Sequence, residues 1–191
     1  MRPGLMIIAL WIGFALSWLS AALWTGKTQK RAGAGDEISY RIVQLVGAIL
    51  LAVPAHHYIG PLRLWYITLV EAWICVALIA LGIAFSWWAR IYLGPLWSSR
   101  VTKKANHRVI NSGPYGIVRH PIYTGILLAV LATAAAKGTI PGVGGALIIT
   151  LGLWMKARLE ERWLSSELGP DEYEAYRRTV PMLLPFGPRP R

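Results

Sequence analysis

The hydrophobic residues of this chain fall into long blocks that are separated by short polar segments. Each block is close to the roughly 20 residues that an α-helix needs to cross a hydrocarbon core. The blocks predict five membrane-spanning helices, at residues 5–24, 42–60, 65–88, 122–136 and 139–155. We therefore expect an all-α, polytopic membrane protein.

The chain after the fifth block is charged and helical in pattern. Residues 156–164 predict an amphipathic extension of the fifth span, which Gly169-Pro170 ends. A second short helix is expected at residues 171–178, with Tyr173 and Tyr176 packed on one face. Six of the nine acidic residues lie between residues 160 and 174. These features predict a C-terminal cytoplasmic helical cap, folded over the loop before the fourth span.

Composition and charge agree with a membrane location. The 191 residues are 55% hydrophobic, with a mean hydropathy of +0.45 and only 15% charged residues, which excludes an ordinary soluble domain. A net charge of +11 is also found in nucleic-acid-binding proteins. Here, however, 17 of the 20 Lys and Arg residues lie on one side of the predicted spans. This asymmetry predicts an external amino terminus, a cytoplasmic carboxyl terminus, contact with membrane lipids and no nucleic-acid partner.

Several polar or small residues in the predicted spans have both a functional and a structural interpretation. Glu71 could be functional, because intramembrane carboxylates often are, or it could be solvated or paired with Arg63. His56 and His57 are adjacent on a helix and face different ways, so we expect interfacial anchors and no metal site. The small residues Gly142, Gly144 and Gly145 predict close helix packing.

The most unusual segment is residues 113–125, which is rich in turns and ionisable groups but lies between apolar blocks. Polar sequence is costly next to hydrocarbon, so we expect chemistry here. Because the fourth and fifth spans form a tight hairpin, Arg119, His120 and Tyr123 must lie near Lys156, Arg158, Glu160 and Glu161. Such a cluster suits a ligand that carries both charges and an aromatic group.

Each of these residues, taken singly, also has a structural interpretation. Arg119 could be an interfacial anchor and His120 a helix-start residue, while Lys156 and Glu160 could form a surface ion pair. Their convergence at one end of the hairpin favours a functional site.

The pattern Arg-His-Pro-x-Tyr-x-Gly at residues 119–125 is followed by the hairpin and by Glu160-Glu161. Leu164, Gly169, Tyr173, Tyr176 and Leu184-Pro185 come next, in that order. Together these elements resemble the signature of the isoprenylcysteine carboxyl methyltransferase and phospholipid methyltransferase superfamily, over about residues 95–187. The resemblance implies a helical membrane enzyme that uses S-adenosylmethionine without a Rossmann domain. It divides the chain into helices 1–3 (residues 1–94) and a catalytic region (residues 95–191).

The resemblance also implies roles for individual residues. The cofactor site would be formed by Tyr115, Val118, Arg119, His120, Tyr123 and the pair Glu160 and Glu161. Glu160, Glu161 and Arg158 would be catalytic, with Arg158 orienting an acceptor carboxylate or phosphate. For an amine or thiol acceptor, Glu161 or His120 would take a proton. We expect Glu161 to face the cofactor, because Arg158 lies three residues earlier on the same helical face.

The acceptor is left open by the sequence. The leading hypothesis is methyl transfer to a lipid-like or prenylated acceptor of the isoprenylcysteine carboxylate type, and the first alternative is a phospholipid amine. A nicotinamide-dependent reductase of related fold, or a membrane scaffold or transporter, is a further alternative. A transporter is disfavoured because the sequence shows no internal repeat. The oligomeric state does not follow from the sequence.

Overall fold

The computed structural model describes residues 2–21, 28–31, 34–54, 60–94, 97, 102–104, 110–168 and 170–188. In chain order the elements are α1 (Pro3–Ala21), β1 (Thr28–Arg31), α2 (Ala34–Ala52), α3 (Leu69–Leu93), β2 (Thr102–Lys104), α4 (Pro114–Ile117), α5 (Pro121–Lys137), α6 (Ile140–Leu168) and α7 (Pro170–Thr179). Among the described residues, α1, α3 and α6 are long and apolar enough to cross a membrane, and α5 is a shorter apolar helix. The predicted class, a helical polytopic membrane protein, is confirmed.

The structure adds a short antiparallel pairing of β1 with β2, which the sequence pattern did not predict. The two segments consist of Thr, Gln, Lys and Arg, so they lack the alternation of apolar and polar residues that marks a half-buried strand. The ribbon joins the polar loop before α2 to the polar loop after α3.

The boundaries of the second and third spans differ from the predicted ones: α3 runs from Leu69 to Leu93 and not over residues 65–88, because Thr68 caps its start. The second span begins at Ala34 and not at residue 42, and Glu37 lies near its start, where an acidic residue is favourable. It ends at Ala52 since Pro54 disfavours helical geometry in the residue before it. The predicted anchors His56 and His57 lie outside the described residues.

Glu71 belongs to the start of α3. Thr68 is the N-cap: its hydroxyl accepts a hydrogen bond from the Glu71 amide, and the Glu71 carboxylate accepts one from the Thr68 amide at 2.7 Å. This is a capping box, which satisfies two amide groups that the helix leaves without partners. Arg63 donates to the Lys137 carbonyl at 2.8 Å and so ties this end of the molecule to the α5–α6 turn. The described contacts support a structural role for Glu71, but its described partner is Thr68, whereas the sequence had suggested Arg63.

The helices pack as two close pairs, α3 against α5 and α2 against α6. The turn from α5 to α6 is tight, with Gly138 in the left-handed conformation (φ 59°). The core between the helices includes Leu127, Val130, Ile149 and Leu153. The hairpin thereby brings the start of α5 beside the polar part of α6, residues 156–168.

The C-terminal segment folds over this polar end, as predicted. In α7, Tyr173 and Tyr176 are buried against Leu164 of α6, which agrees with a packing role. After α7 the chain runs beside the loop that precedes α5. The Arg119 amide donates to the Pro181 carbonyl at 2.8 Å, and the His120 amide donates to the Met182 carbonyl at 3.1 Å.

Candidate active site

The loop before α5, residues 118–120, is fixed by contacts with the core and with the C-terminal cap. Val118 is extended and fully buried, and His120 is the N-cap of α5, with Pro121 at the first helical position. Proline is favoured there because that position needs no amide donor. Tyr115 is buried, and its carbonyl accepts a hydrogen bond from the Tyr176 hydroxyl at 2.7 Å. Tyr115 and Val118 therefore connect the loop to the core and to the cap.

Arg119 is a buried cation with several partners. Its Nε donates to Oε1 of Glu161 at 2.6 Å, and Nη1 donates to the carbonyl of Arg177 at 3.0 Å and to that of Val180. The last carbonyls of a helix have no partners within it, so Arg119 satisfies groups that the end of α7 exposes. One side chain thus binds the loop, α6 and the cap together.

Glu161 is the most enclosed carboxylate of the cluster, with its side chain 4% exposed. Its Oε1 also lies 3.3 Å from Nε2 of His120, and its Oε2 lies 3.6 Å from Nε of Arg177. Burial alone would raise the pKa of this carboxyl group, but the contacts with His120 and Arg119 outweigh it and lower the pKa to about 2. Glu161 is therefore ionised at neutral pH.

His120 lies between the two carboxylates. Its Nδ1 is 3.5 Å from Oε2 of Glu160, while Nε2 faces Glu161. Burial lowers the pKa of the imidazole, yet the hydrogen bonds and charges of Glu160 and Glu161 raise it above its usual value. The two contacts on opposite nitrogens also fix the orientation of the ring.

Glu160 is the more open carboxylate, with its side chain 18% exposed. It accepts a hydrogen bond from the Tyr123 hydroxyl at 2.5 Å, and the Lys156 ammonium lies 3.9 Å away. The Tyr123 ring stacks on His120, with centroids 5.4 Å apart and planes 4° from parallel. Glu160 and Glu161 thus have different environments, although they are adjacent in sequence.

Beside Glu160 two aromatic rings enclose a cation. The Lys156 ammonium lies 5.2 Å from the centroid of Tyr123 and 5.8 Å from that of Tyr40. Tyr40 comes from α2 and is buried. Sequence reasoning missed it, because nothing in the pattern around residue 40 shows which helix α2 will pack against.

Arg158 lies apart from this cluster. Its guanidinium carbon is 5.7 Å from the centroid of Trp154, and its side chain lines a groove between α2 and α6. The described contacts of Glu161 are with Arg119, His120 and Arg177, whereas the spacing had suggested Arg158. Of the residues predicted for the site, the structure brings Arg119, His120, Tyr123, Glu160 and Glu161 together.

Comparison with known proteins gives the site a family context. Residues 74–165 match the isoprenylcysteine carboxyl methyltransferase (ICMT) family. The chain is 34% identical over 106 residues to protein-S-isoprenylcysteine O-methyltransferase of Schizosaccharomyces pombe, which covers 52% of this chain and 43% of that protein. It is 35% identical over 134 residues to methanethiol S-methyltransferase 2 of Bradyrhizobium diazoefficiens, and this match covers 65% of this chain and 51% of that protein.

A third relative carries a different name. The chain is 30% identical over 116 residues to the cobalt-zinc-cadmium resistance protein CzcN of Cupriavidus metallidurans, and the match covers 59% of this chain and 51% of that protein. The chain thus spans about half the length of these three relatives.

Proposed function

We propose that this chain is a membrane methyltransferase that uses S-adenosylmethionine and acts on a lipophilic acceptor, because residues 74–165 match the isoprenylcysteine carboxyl methyltransferase family. The observation that carries the proposal is the arrangement around Glu160, where a carboxylate and two tyrosine rings enclose a positive charge. A sulfonium group is also a cation.

The residues that would hold such a cofactor are Tyr40, Tyr123 and Glu160. The Lys156 ammonium takes the position between them in this structure, so a sulfonium would bind there with the Lys156 side chain turned aside, and the carboxylate and the ring faces would then stabilise its charge. When bound, S-adenosylmethionine would supply an electrophilic methyl group. Glu160 and the face of Tyr123 would hold the positive end of the cofactor.

His120, Arg119 and Glu161 would orient Glu160 and Tyr123. His120 stacks on Tyr123 and contacts both carboxylates, so it fixes the direction of the Glu160 side chain. Arg119 and Glu161 keep the cap closed over the loop and reduce the access of water to the site. Alignment of reactants and exclusion of water are the main ways in which a protein accelerates a displacement reaction.

The need for a base depends on the acceptor. A carboxylate acceptor has no proton to lose, whereas a thiol or an amine has one. Glu160 is the more exposed of the two carboxylates, so it is the more accessible to that proton. Burial raises the pKa of its carboxyl group, but the contacts with His120, Lys156 and Tyr123 outweigh it and lower the pKa, so Glu160 would act as a weak base. Its hydrogen bond from Tyr123 and its contact with His120 would hold it in place.

The test is a calorimetric titration of the detergent-purified protein with S-adenosylmethionine, whose sulfonium is charged, and with S-adenosylhomocysteine, whose sulfur is not. We expect the wild type to bind both and Glu160→Gln to bind S-adenosylmethionine roughly tenfold more weakly or worse, since contacts with a charged group contribute about 1.5–3 kcal/mol; the loss for S-adenosylhomocysteine should be smaller. Glu71→Gln is the matched control, because it makes the same change at the far end and a capping box accepts Gln. A folded wild type that binds a nicotinamide cofactor and not S-adenosylhomocysteine would refute the proposal.

A thiol is a second candidate acceptor, favoured by the relative whose name is methanethiol S-methyltransferase 2. The acceptors are separated by incubating the protein with methyl-labelled S-adenosylmethionine and one of three compounds. These are a farnesylated cysteine derivative with a free carboxylate, methanethiol, and phosphatidylethanolamine. The labelled product is then an ester, a thioether or an N-methylated lipid, and each identifies one acceptor class.

A further inference from the structure

One face of α6 changes from apolar to cationic along its length. Leu147, Leu151, Trp154, Arg158 and Arg162 recur at spacings of three or four residues, so they form one stripe, and all five are exposed. The change falls at Met155, where the predicted span ends. At that depth a membrane presents its headgroups, so the stripe is apolar beside acyl chains and basic beside headgroups.

A cavity of about 300 Å³ lies on this stripe, between α2 and α6. Its lining includes Tyr40 of α2 and, from α6, Trp154, Met155, Arg158, Leu159 and Arg162. The guanidinium groups of Arg158 and Arg162 lie at one end of the cavity, and apolar side chains lie at the other. A ligand with a polar head and an apolar tail would therefore suit it. The volume is at the lower end of the range for small-ligand sites, which suits a headgroup rather than a whole lipid.

The positive charge of the cavity is not balanced by its own lining. Among the described residues that line it, none is acidic. The carboxylates nearest in sequence have other partners. Glu37 accepts a hydrogen bond from Arg41 at 2.9 Å, and Glu160 and Glu161 contact His120. Two like charges one turn apart repel each other by a few tenths of a kcal/mol, which an anion would offset.

The exposed apolar surface of α6 continues away from the cavity. Leu147 and Leu151 extend the stripe of α6 away from the arginines. Acyl chains attached to a headgroup in the cavity would lie along this surface.

We propose that this cavity is a binding site for an anionic phospholipid, whose phosphate is held by Arg158 and Arg162 and whose acyl chains cover the apolar stripe of α6. Basic pockets between membrane helices are known to take headgroups of this kind. Tyr40 lines this cavity and also contacts Lys156 beside Glu160, so the two sites are neighbours, but the inference does not rest on the proposed methyl transfer.

The test is native mass spectrometry of the detergent-solubilised full chain, titrated with dioleoylphosphatidylglycerol or dioleoylphosphatidylcholine. We expect the wild type to bind the anionic lipid more tightly than the zwitterionic one. Arg158→Gln with Arg162→Gln should weaken binding of phosphatidylglycerol by roughly tenfold or more, from the attraction expected for two cations near an anionic headgroup. The single variants Arg158→Gln and Arg162→Gln are measured as well, in case the double variant does not fold.

The matched control removes two exposed arginines elsewhere, Arg2→Gln with Arg178→Gln, and should leave binding unchanged. Equal weakening in this control would mean a general effect of net charge and would overturn the proposal. Equal affinity of the wild type for the two lipids would also overturn it. Glycerol phosphate, which has the headgroup chemistry without acyl chains, should not displace the lipid; displacement at similar concentrations would assign the cavity to a soluble phosphate compound instead.

Discussion

A single guanidinium group, that of Arg119, joins segments that are far apart in the sequence. It forms an ion pair with Glu161 of α6 and donates to two carbonyls at the end of the cap, those of Arg177 and Val180. A buried ion pair is tolerated when further hydrogen bonds satisfy its remaining polar atoms, and here they do. The Arg-His motif therefore has a structural function in the closed cap as well as a place beside the candidate cofactor site.

The energetic coupling of this pair can be measured. Arg119→Gln and Glu161→Gln should each lower the free energy of unfolding by about 3–5 kcal/mol, because each leaves a buried charge without its main partner. The double variant removes both charges, so its loss should be smaller than the sum of the two by more than about 1 kcal/mol. Denaturant unfolding of the detergent-purified proteins gives all three values. Arg178→Gln, at an exposed side chain, is the control, and additive losses would contradict the coupling.

At the scale of the helices, glycine sets the distance between packed pairs. A methyl group on Gly47 of α2 would lie 2.7 Å from the carbonyl oxygen of Gly145 in α6. A methyl group on Gly145 would likewise lie 2.7 Å from the carbonyl oxygen of Gly47. Gly82 of α3 and Gly125 of α5 form the equivalent contact in the other pair. The prediction that small residues near the start of α6 permit close packing is confirmed for Gly145.

Two adjacent glycines of α6 provide a matched test of this packing. A methyl group on Gly145 would lie 2.8 Å from the Leu51 amide as well, whereas one on Gly144 would meet no heavy atom of the described chain within 4 Å. Gly145→Ala should therefore destabilise the protein by about 1–3 kcal/mol, since α2 must move outwards. Gly144→Ala should be neutral or stabilising by up to about 1 kcal/mol, through its better helix propensity. Thermal unfolding in detergent compares the two, and equal effects would contradict the close contact.

For the whole molecule, local pattern and chain connectivity were enough to predict the helices and the centre of the candidate site. The apolar blocks located the helices, and the short α5–α6 turn required Arg119, His120 and Tyr123 to meet Glu160 and Glu161.

Contacts between distant segments were not predictable in the same way. The position of Tyr40 beside Lys156 depends on how α2 packs on α6, and the separation of Arg158 from Glu161 depends on the rotation of α6 against its neighbours. No short-range pattern encodes either.

The orientation of the molecule in the membrane is the remaining prediction at this scale. Because 17 of the 20 basic residues lie on the side of the cap, the cap should face the cytoplasm. In a Cys75→Ser background, which removes the single cysteine, Leu62→Cys and Arg178→Cys place one exposed thiol at each end. A membrane-impermeant maleimide should label residue 62 in intact cells and residue 178 only after permeabilisation. The opposite result would place the Glu160 cluster on the external face, where a cytosolic methyl donor does not reach it.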